Sequence, residues 1–161
     1  MIDFLRNLFA RGEPALSEAG PRDTSAIAPL HAASFRRGWS EHEIETLLAD
    51  RHVIAHRAVI GGKLTGFILS RLVEDEAEIL SVAVAGSSQR RGLAGRLLNL
   101  HLRRLAGMGA RAVFLEVDEH NKPATRLYAR AGFHEISRRP NYYQVAGSKP
   151  AAALVLRRDL T

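Results

Sequence analysis

The sequence contains no cysteine, which excludes disulfide bonds, thiolate metal sites and a cysteine acyl-enzyme. Aromatic residues make up only 6% of the chain, so we do not expect an aromatic stacking platform for nucleic acid. No apolar run approaches the roughly 20 residues needed to cross a bilayer. Asp3 and Arg6 interrupt the segment where a signal peptide would be apolar. We therefore expect a cytoplasmic protein without a membrane role.

The charge balance is strongly basic, with a formal net charge of +6. Such a surface attracts nucleic acid, an anionic membrane face or a phosphorylated small molecule, and charge alone does not choose among them. The chain has 161 residues, of which 46% are hydrophobic and 25% charged. These values are typical of one compact globular domain.

Residues 1–24 are interpreted as an extension and linker, and residues 25–161 as the single domain. Apolar residues at helical spacing predict a short helix over residues 2–9. A polar stretch with Gly12, Pro14, Gly20 and Pro21 follows and is typical of a linker. His52 and His56 are expected on one face of a strand, and since no third ligand accompanies them, no metal site is expected.

Hydrophobic periodicity and turn residues predict a mixed helix and strand pattern. Ser40 and Glu43 form a capping box that opens a helix, and Gly61 with Gly62 predicts a tight hairpin turn. Helices are predicted over residues 25–35, 40–49, 92–108 and 121–131, and strands over 53–60, 64–73, 77–84, 112–117, 133–137 and 152–157. The strand over 112–117 should run parallel to the one over 77–84, because a long helix connects them.

The loop between the third strand and the long helix contains the residues that point to a binding site. Gln89 begins the run Gln-Arg-Arg-Gly-Leu-Ala-Gly, which opens the helix. A helix N-terminus presents unpaired N–H groups and a positive dipole end, which suit a phosphate. Two glycines and the arginines beside them would let a pyrophosphate approach the backbone closely.

Two other interpretations of this loop remain open. A dinucleotide-binding fingerprint is half met, since Glu116 ends the next strand where that fold places a ribose-binding acid. A plain glycine-containing helix start is the other alternative. A Walker loop is excluded because no Gly-Lys-Ser/Thr follows.

The run from Gln89 to Ala94 resembles the Gln/Arg-x-x-Gly-x-Gly/Ala signature of the GNAT N-acetyltransferase superfamily. The similarity continues through residues 115–117, Asn121 and residues 127–133, and covers the chain from about residue 26. Trp39-Ser-Glu and the run at residues 138–143 are similar to bacterial ribosomal-protein-alanine N-acetyltransferases within this superfamily. Three positions depart from that group: Gly38 replaces a common Pro, Ala94 replaces a common Gly, and residues 149–153 lack acidic side chains.

The resemblance implies an α/β (α+β) fold with a mixed, mostly antiparallel sheet and helices on both faces. It also implies acetyl-CoA as co-substrate, with no metal. Coenzyme contacts are implied for strand residues Val82, Ala83 and Val84, for turn residues Arg90, Arg91, Gly92, Leu93, Ala94 and Gly95 around the pyrophosphate, and for Asn121 beside the CoA chain.

The resemblance further implies Glu116 as the general base and Tyr128 as the general acid. Glu78 is a second candidate base, on the preceding strand. Without the motif, Tyr128 would be read as a core aromatic and Glu116 as a solvent-exposed charge. Tyr142 and Tyr143 either line the acceptor channel or pack a loop. Since there is no cysteine nucleophile, the amine is expected to attack the thioester directly.

The expected acceptor is the α-amine of a protein N-terminus, with a ribosomal protein first. Another protein terminus or a small amine stays open, since the missing acidic residues would otherwise help to recruit a basic ribosomal N-terminus. The alternative from a different class is a non-catalytic module that binds CoA or nucleic acid. The low aromatic content argues against a direct nucleic-acid role.

Overall fold

The computed structural model describes residues 12–89, 92–143, 146–147 and 149–160. These ranges contain seven strands and four helices. The strands are β1 (Ala15–Glu18), β2 (Val53–Ile60), β3 (Lys63–Val73), β4 (Glu76–Val84), β5 (Ala112–Asp118), β6 (His134–Tyr143) and β7 (Ala151–Asp159). The helices are α1 (Thr24–Ser34), α2 (Glu41–Ala49), α3 (Leu93–Gly107) and α4 (Lys122–Arg130).

All the described strands belong to one sheet, in the order β1-β2-β3-β4-β5-β7-β6. Neighbours run antiparallel except β4 and β5, which are parallel and joined through α3. The predicted hairpin at Gly61 and Gly62 is present, with φ angles of 57° and 78°. The mixed, mostly antiparallel sheet is therefore confirmed.

Helices cover both faces of this sheet, as expected. On one face, α3 buries its leucines, among them Leu97 and Leu105, against β2 to β5 and β7, and Tyr128 of α4 joins this cluster. On the other face, α1 and α2 pack Ile27 and Ile44 against the middle strands. The sheet thus separates two cores, and any opening in it connects the two faces.

Side chains cap the N-termini of two helices, and the cap of α2 is the predicted one. At α2, the Ser40 side chain accepts a bond from the Glu43 N–H at 3.1 Å, and the Glu43 carboxylate accepts from the Ser40 N–H at 2.9 Å. At α4, the Asn121 Oδ1 accepts from the Ala124 N–H at 3.3 Å. Each cap satisfies helix N–H groups that lack an intrahelical partner.

The parallel pair β4 and β5 opens into a splay. Their pairing covers only Glu76–Ala112, Ala77–Val113 and Glu78–Phe114. Just beyond, the β3–β4 register shifts between Leu69 and Ser70, which marks a bulge in β4. Bulges bend a strand and end pairing, so the carboxyl half of β4 diverges from β5.

The stretch predicted as a linker contains structure. Ala15–Glu18 forms β1 and pairs antiparallel with β2, and the Asp23 carboxylate contacts the Arg57 guanidinium at 2.6 Å. The glycines and prolines of this stretch predict a linker, whereas β1 forms by pairing with residues some 40 positions away. The helix predicted over residues 2–9 lies outside the described residues, and β6 is longer than the predicted strand.

The expectation for the two histidines was wrong. His52 lies in the turn before β2 and is exposed, while His56 is buried and its Nδ1 lies 2.7 Å from the Nδ1 of His101 on α3. The Nε2 of His101 in turn lies 2.7 Å from the Ser70 hydroxyl. Periodicity on β2 carries no information about the helix that covers it, so this pair was missed.

Candidate active site

The turn that enters α3 lies directly after β4. The Gln89 amide donates to the Val84 carbonyl at 3.0 Å, which ties the loop back to the strand end. Gly92 is the N-cap of α3, with a φ of 72°, a backbone conformation that other residues adopt only with strain. Space around its Cα is open. Leu93, Ala94 and Gly95 form the first turn, whose N–H groups face away from the helix.

Arg90 and Arg91 lie outside the described residues, so their predicted phosphate contacts stay predictions. Arg96, one turn into α3, is half exposed and lies 3.5 Å from the Glu13 carboxylate.

The open edge of β4 follows the bulge. Beyond Glu78, its backbone groups on the β5 side have no strand partner among the described residues, although buried backbone groups normally need one. Val82 is half-buried, and Ala83 and Val84 are buried. The Ser81 hydroxyl is buried without a hydrogen-bond partner in the described part of the chain. An extended chain of amides could bond to this edge as a further strand does.

Glu116 lies on β5, two positions past the last residue paired with β4. It lies on the face covered by α1 and α2, because its neighbours Leu115 and Val117 belong to the opposite core. Its carboxylate is partly exposed and lies 3.9 Å from the Arg139 guanidinium. A base placed here is open to an incoming amine.

Tyr128 approaches from the other face. It is 6% exposed and packs edge-on against Phe133, with ring centroids 5.7 Å apart. Burial raises its pKa to about 12, so the phenol stays protonated at neutral pH. The structure therefore shows the core aromatic that the sequence alone suggests, and the role of Tyr128 as general acid stays a prediction.

The two predicted catalytic residues make no direct contact with each other within the described residues. No hydrogen bond joins Glu116 to Tyr128 within the described residues, and they lie on opposite faces of the sheet. Glu78 lies on the same face as Glu116, but at the last paired position of β4. Glu116 therefore adjoins the open part of the splay, and Glu78 its closed end.

Tyr143 of β6, for which the sequence left open a place in the acceptor channel or in loop packing, lies near Glu116. Burial raises the pKa of its phenol, and the charges of Glu116 and Asp118 raise it further. Its ring meets that of Tyr142 edge-on at 5.2 Å, and the Arg139 guanidinium lies 5.6 Å from the Tyr142 ring centre. These residues border the α1 and α2 face of the splay.

A groove of about 640 Å³ lies on the same face. Leu80 of β4 forms part of its wall, and this residue belongs to the unpaired segment of the strand. Trp39 and Arg37, from the loop between α1 and α2, line it with residues of α2 and Arg71 of β3. An acceptor could approach the splay through this groove.

These features fit an acyl-coenzyme A. The open β4 edge and the Ser81 hydroxyl suit the amides of pantetheine, and the α3 N-terminus suits the pyrophosphate. Asn121 is used as the cap of α4, which leaves its amide NH₂ for a ligand. In the described ranges, no group of three or more histidine or carboxylate side chains could hold a metal ion. None of the helices described there is long and apolar enough to span a membrane.

A sheet that opens between two parallel strands, with a helix N-terminus at the opening, defines an acyl-CoA-dependent transferase fold. Residues 24–133 match the model of the acetyltransferase (GNAT) family. The chain belongs to this family and is an acetyl-CoA-dependent acyltransferase.

One curated protein similar to this chain is the [ribosomal protein bS18]-alanine N-acetyltransferase of Escherichia coli K12. It is 31% identical over 117 residues, which cover 73% of this chain and 78% of the relative. The mycothiol acetyltransferase of Mycobacteroides abscessus is 31% identical over 127 residues, covering 71% of this chain and 43% of that protein.

Solved structures agree on the fold. The ribosomal-protein-S18-alanine N-acetyltransferase from Escherichia coli superposes with a TM-score of 0.84 at 26% identity, covering 91% of this chain and 94% of that one. Arabidopsis thaliana NAA60 in complex with acetyl-CoA gives a TM-score of 0.82 at 20% identity, covering 92% and 99%. At that identity the second likeness concerns the fold alone.

Proposed function

We propose that this enzyme transfers the acetyl group of acetyl-CoA to the α-amine of a protein N-terminus, at the splay between β4 and β5. The observation that supports the proposal is that Glu116 adjoins the end of the β4–β5 pairing and lies on the opposite face of the sheet from Tyr128. A thioester held between the strands is then reached by an amine from one face and by a proton donor from the other.

Binding of the coenzyme uses the strand edge and the turn. Val82, Ala83 and Val84 pair with the pantetheine amides. Arg90 to Gly95 hold the pyrophosphate, with the positive end of α3 behind it. Asn121 contacts the CoA chain through its NH₂, since its oxygen caps α4. This arrangement fixes the thioester carbon in the open part of the splay.

The transfer proceeds by direct attack. The neutral amine forms a bond to the thioester carbon, and its proton passes to the Glu116 carboxylate directly or through a water. A backbone N–H near Val84 stabilises the tetrahedral oxyanion. The carbon–sulfur bond then breaks, and the Tyr128 hydroxyl gives its proton to the departing thiolate. Burial raises the pKa of Tyr128, so its hydroxyl carries a proton at neutral pH and the phenolate left after the transfer regains one from water.

The first acceptor to test is a ribosomal-protein N-terminus that begins with alanine. Its support is the similarity to the bS18-alanine N-acetyltransferase of Escherichia coli. An acceptor of this kind would place the enzyme in the cytoplasm. The similarity to the mycothiol acetyltransferase of Mycobacteroides abscessus is the reason to test small amines as the second class of acceptor.

The test measures acetyl-CoA turnover with peptides that begin with alanine and with small amines, followed by free thiol and by the mass of the acceptor. We expect Glu116→Gln and Tyr128→Phe each to lower kcat about 100-fold, while the calorimetric Kd for acetyl-CoA stays close to that of the wild type. Glu78→Gln is the comparison for the rival base.

Glu76→Gln is a matched control, because Glu76 is an exposed acid at the far end of β4. It should retain full turnover. Full activity in both Glu116→Gln and Tyr128→Phe would refute the roles assigned here. Acetyl-CoA binding without transfer to any amine would favour a non-catalytic CoA-binding module.

A further inference from the structure

We infer that His31 is a positioning residue that holds the loop between α1 and α2 in place and thereby shapes the groove for the acceptor. The inference rests on the proposed function, because it assigns the groove of Arg37, Trp39 and Leu80 to the acceptor. The loop comprises residues 35–40 and carries two of the groove-lining side chains.

The contact between His31 and the loop is a hydrogen bond combined with a ring stack. The Trp39 backbone N–H donates to the His31 Nδ1 at 3.1 Å. The two rings stack with centroids 4.3 Å apart and an interplanar angle of 16°. Because Nδ1 accepts, it must be unprotonated, so only the neutral imidazole with its proton on Nε2 makes this bond.

The side chain of His31 is itself held in place by packing in the core. It is 3% exposed, and its ring contacts Phe35 and Phe67, with centroids 4.5 Å and 6.2 Å away. Phe67 belongs to β3, whose middle residues are fully buried. The imidazole is therefore a fixed point of the sheet's core to which the loop is attached.

Gly38 supplies a second attachment. A Cβ at this position would lie 2.9 Å from the backbone Cα of Ala32 on α1, closer than real Cβ contacts allow. The loop backbone thus lies directly on the helix next to His31, where only glycine fits.

The attached loop determines the shape of the groove. Trp39 uses its ring to stack on His31 and also lines the groove beside Leu80. Leu80 belongs to the part of β4 that borders the splay. If the loop leaves α1, the wall of the groove is lost, while the α3 turn and the β4 edge for the coenzyme stay intact. The expected signature is a change in acceptor KM without a change in coenzyme affinity.

Protonation of His31 should release the loop. Burial lowers the pKa of His31, and Glu43 on α2 raises it in opposition. The remaining elements around the ring add no other acid: α1 has no other ionisable residue, β3 presents Phe67, and the loop carries Arg36 and Arg37. The attachment is therefore complete at neutral pH and weakens below the ordinary histidine pKa of 6.5.

The test uses Trp39, the single tryptophan of the chain, together with acceptor kinetics. His31→Asn keeps an accepting oxygen near the Nδ1 position and does not titrate, whereas His31→Phe keeps an aromatic ring and cannot accept. We expect His31→Phe to raise the acceptor KM about fivefold, the effect of one lost hydrogen bond. It should also increase acrylamide quenching of Trp39 at neutral pH, with the calorimetric Kd for acetyl-CoA unchanged.

His31→Asn cannot titrate, so it should lose the increase in Trp39 quenching that the wild type shows on acidification. Gly38→Ala should increase quenching as His31→Phe does. His134→Phe, at an exposed site on β6, is the control and should change neither quantity. The inference is overturned if His31→Phe equals the wild type in quenching and acceptor KM at neutral pH, or if His31→Asn keeps the acid-side rise in Trp39 quenching.

The quenching measurement separates this inference from the proposed function. If the wild type acetylates none of the peptides or amines, the proposed function fails, while Trp39 quenching still shows whether His31 holds the loop. If the wild type turns over and quenching is the same in all variants, the enzyme assignment stands and the role of His31 is wrong.

Discussion

Acidification should destabilise the protein through the buried pair His56 and His101, which joins α3 to β2. Both side chains are almost fully buried, and their Nδ1 atoms lie 2.7 Å apart. Burial, and after it the neighbouring His56, lower the pKa of His101 to about 3. Burial and then Arg104 lower the pKa of His56, while Glu18 opposes them.

The direction in which the free energy of unfolding changes with pH follows from proton uptake. Below the unfolded pKa of 6.5 the unfolded chain binds a proton that the folded pair rejects, so the free energy of unfolding falls as the pH falls. The free energy of unfolding continues to fall until the pH reaches the pKa of the histidine in the folded protein. The slope is ~1 kcal/mol per pH unit for one proton.

Urea denaturation at about pH 7.5 and about pH 5.5 measures this effect, with an expected loss of ~1 kcal/mol from the pair. With a urea slope of about 2 kcal/mol per molar, the midpoint should fall by about 0.5 M. The triple variant His56→Leu, His101→Leu and Ser70→Ala removes the whole network and should show a correspondingly smaller fall. His134→Leu, at an exposed histidine, should keep the wild-type fall. An identical pH slope in the wild type and the triple variant would refute the reasoning.

Three further substitutions test individual contacts. Asp23→Ala breaks the 2.6 Å pair with Arg57 and should cost about 2 kcal/mol in urea denaturation, since Asp23 is buried and Arg57 partly exposed; an unchanged midpoint would contradict this. Gly92→Ala puts a side chain at a φ of 72° and should cost about 1 kcal/mol and weaken acetyl-CoA binding by calorimetry; equal affinity would show that the turn is not used. Asn121→Ala should lower stability by about 1 kcal/mol in thermal melts, whereas Asn121→Ser, which can still cap α4, should not; equal losses would argue against the cap.

Features encoded by neighbouring residues were predicted well. The capping box of Ser40 and Glu43, the hairpin at Gly61 and Gly62 and the parallel β4–β5 pair all depend on spacing that is visible in the sequence. The mixed sheet with helices on both faces followed from these elements and the resemblance.

Features that depend on distant partners were missed. β1 is four residues long and exists because β2 lies beside it, and the pairing of His56 with His101 requires α3 to cross that strand. Glu116 and Tyr128 were both named from sequence. The opening beside Glu116 depends on the bulge in β4 and the short β4–β5 pairing, which the local sequence does not predict.

The central claim is that a thioester lies in the splay of β4 and β5 with Glu116 on one side and Tyr128 on the other. A crystal structure of the protein with coenzyme A tests it most directly. We predict pantetheine paired with Val82 to Val84, the pyrophosphate at the α3 N-terminus, and the sulfur within reach of the Tyr128 hydroxyl. Coenzyme bound on another surface, or a sulfur atom remote from both side chains, would contradict the account.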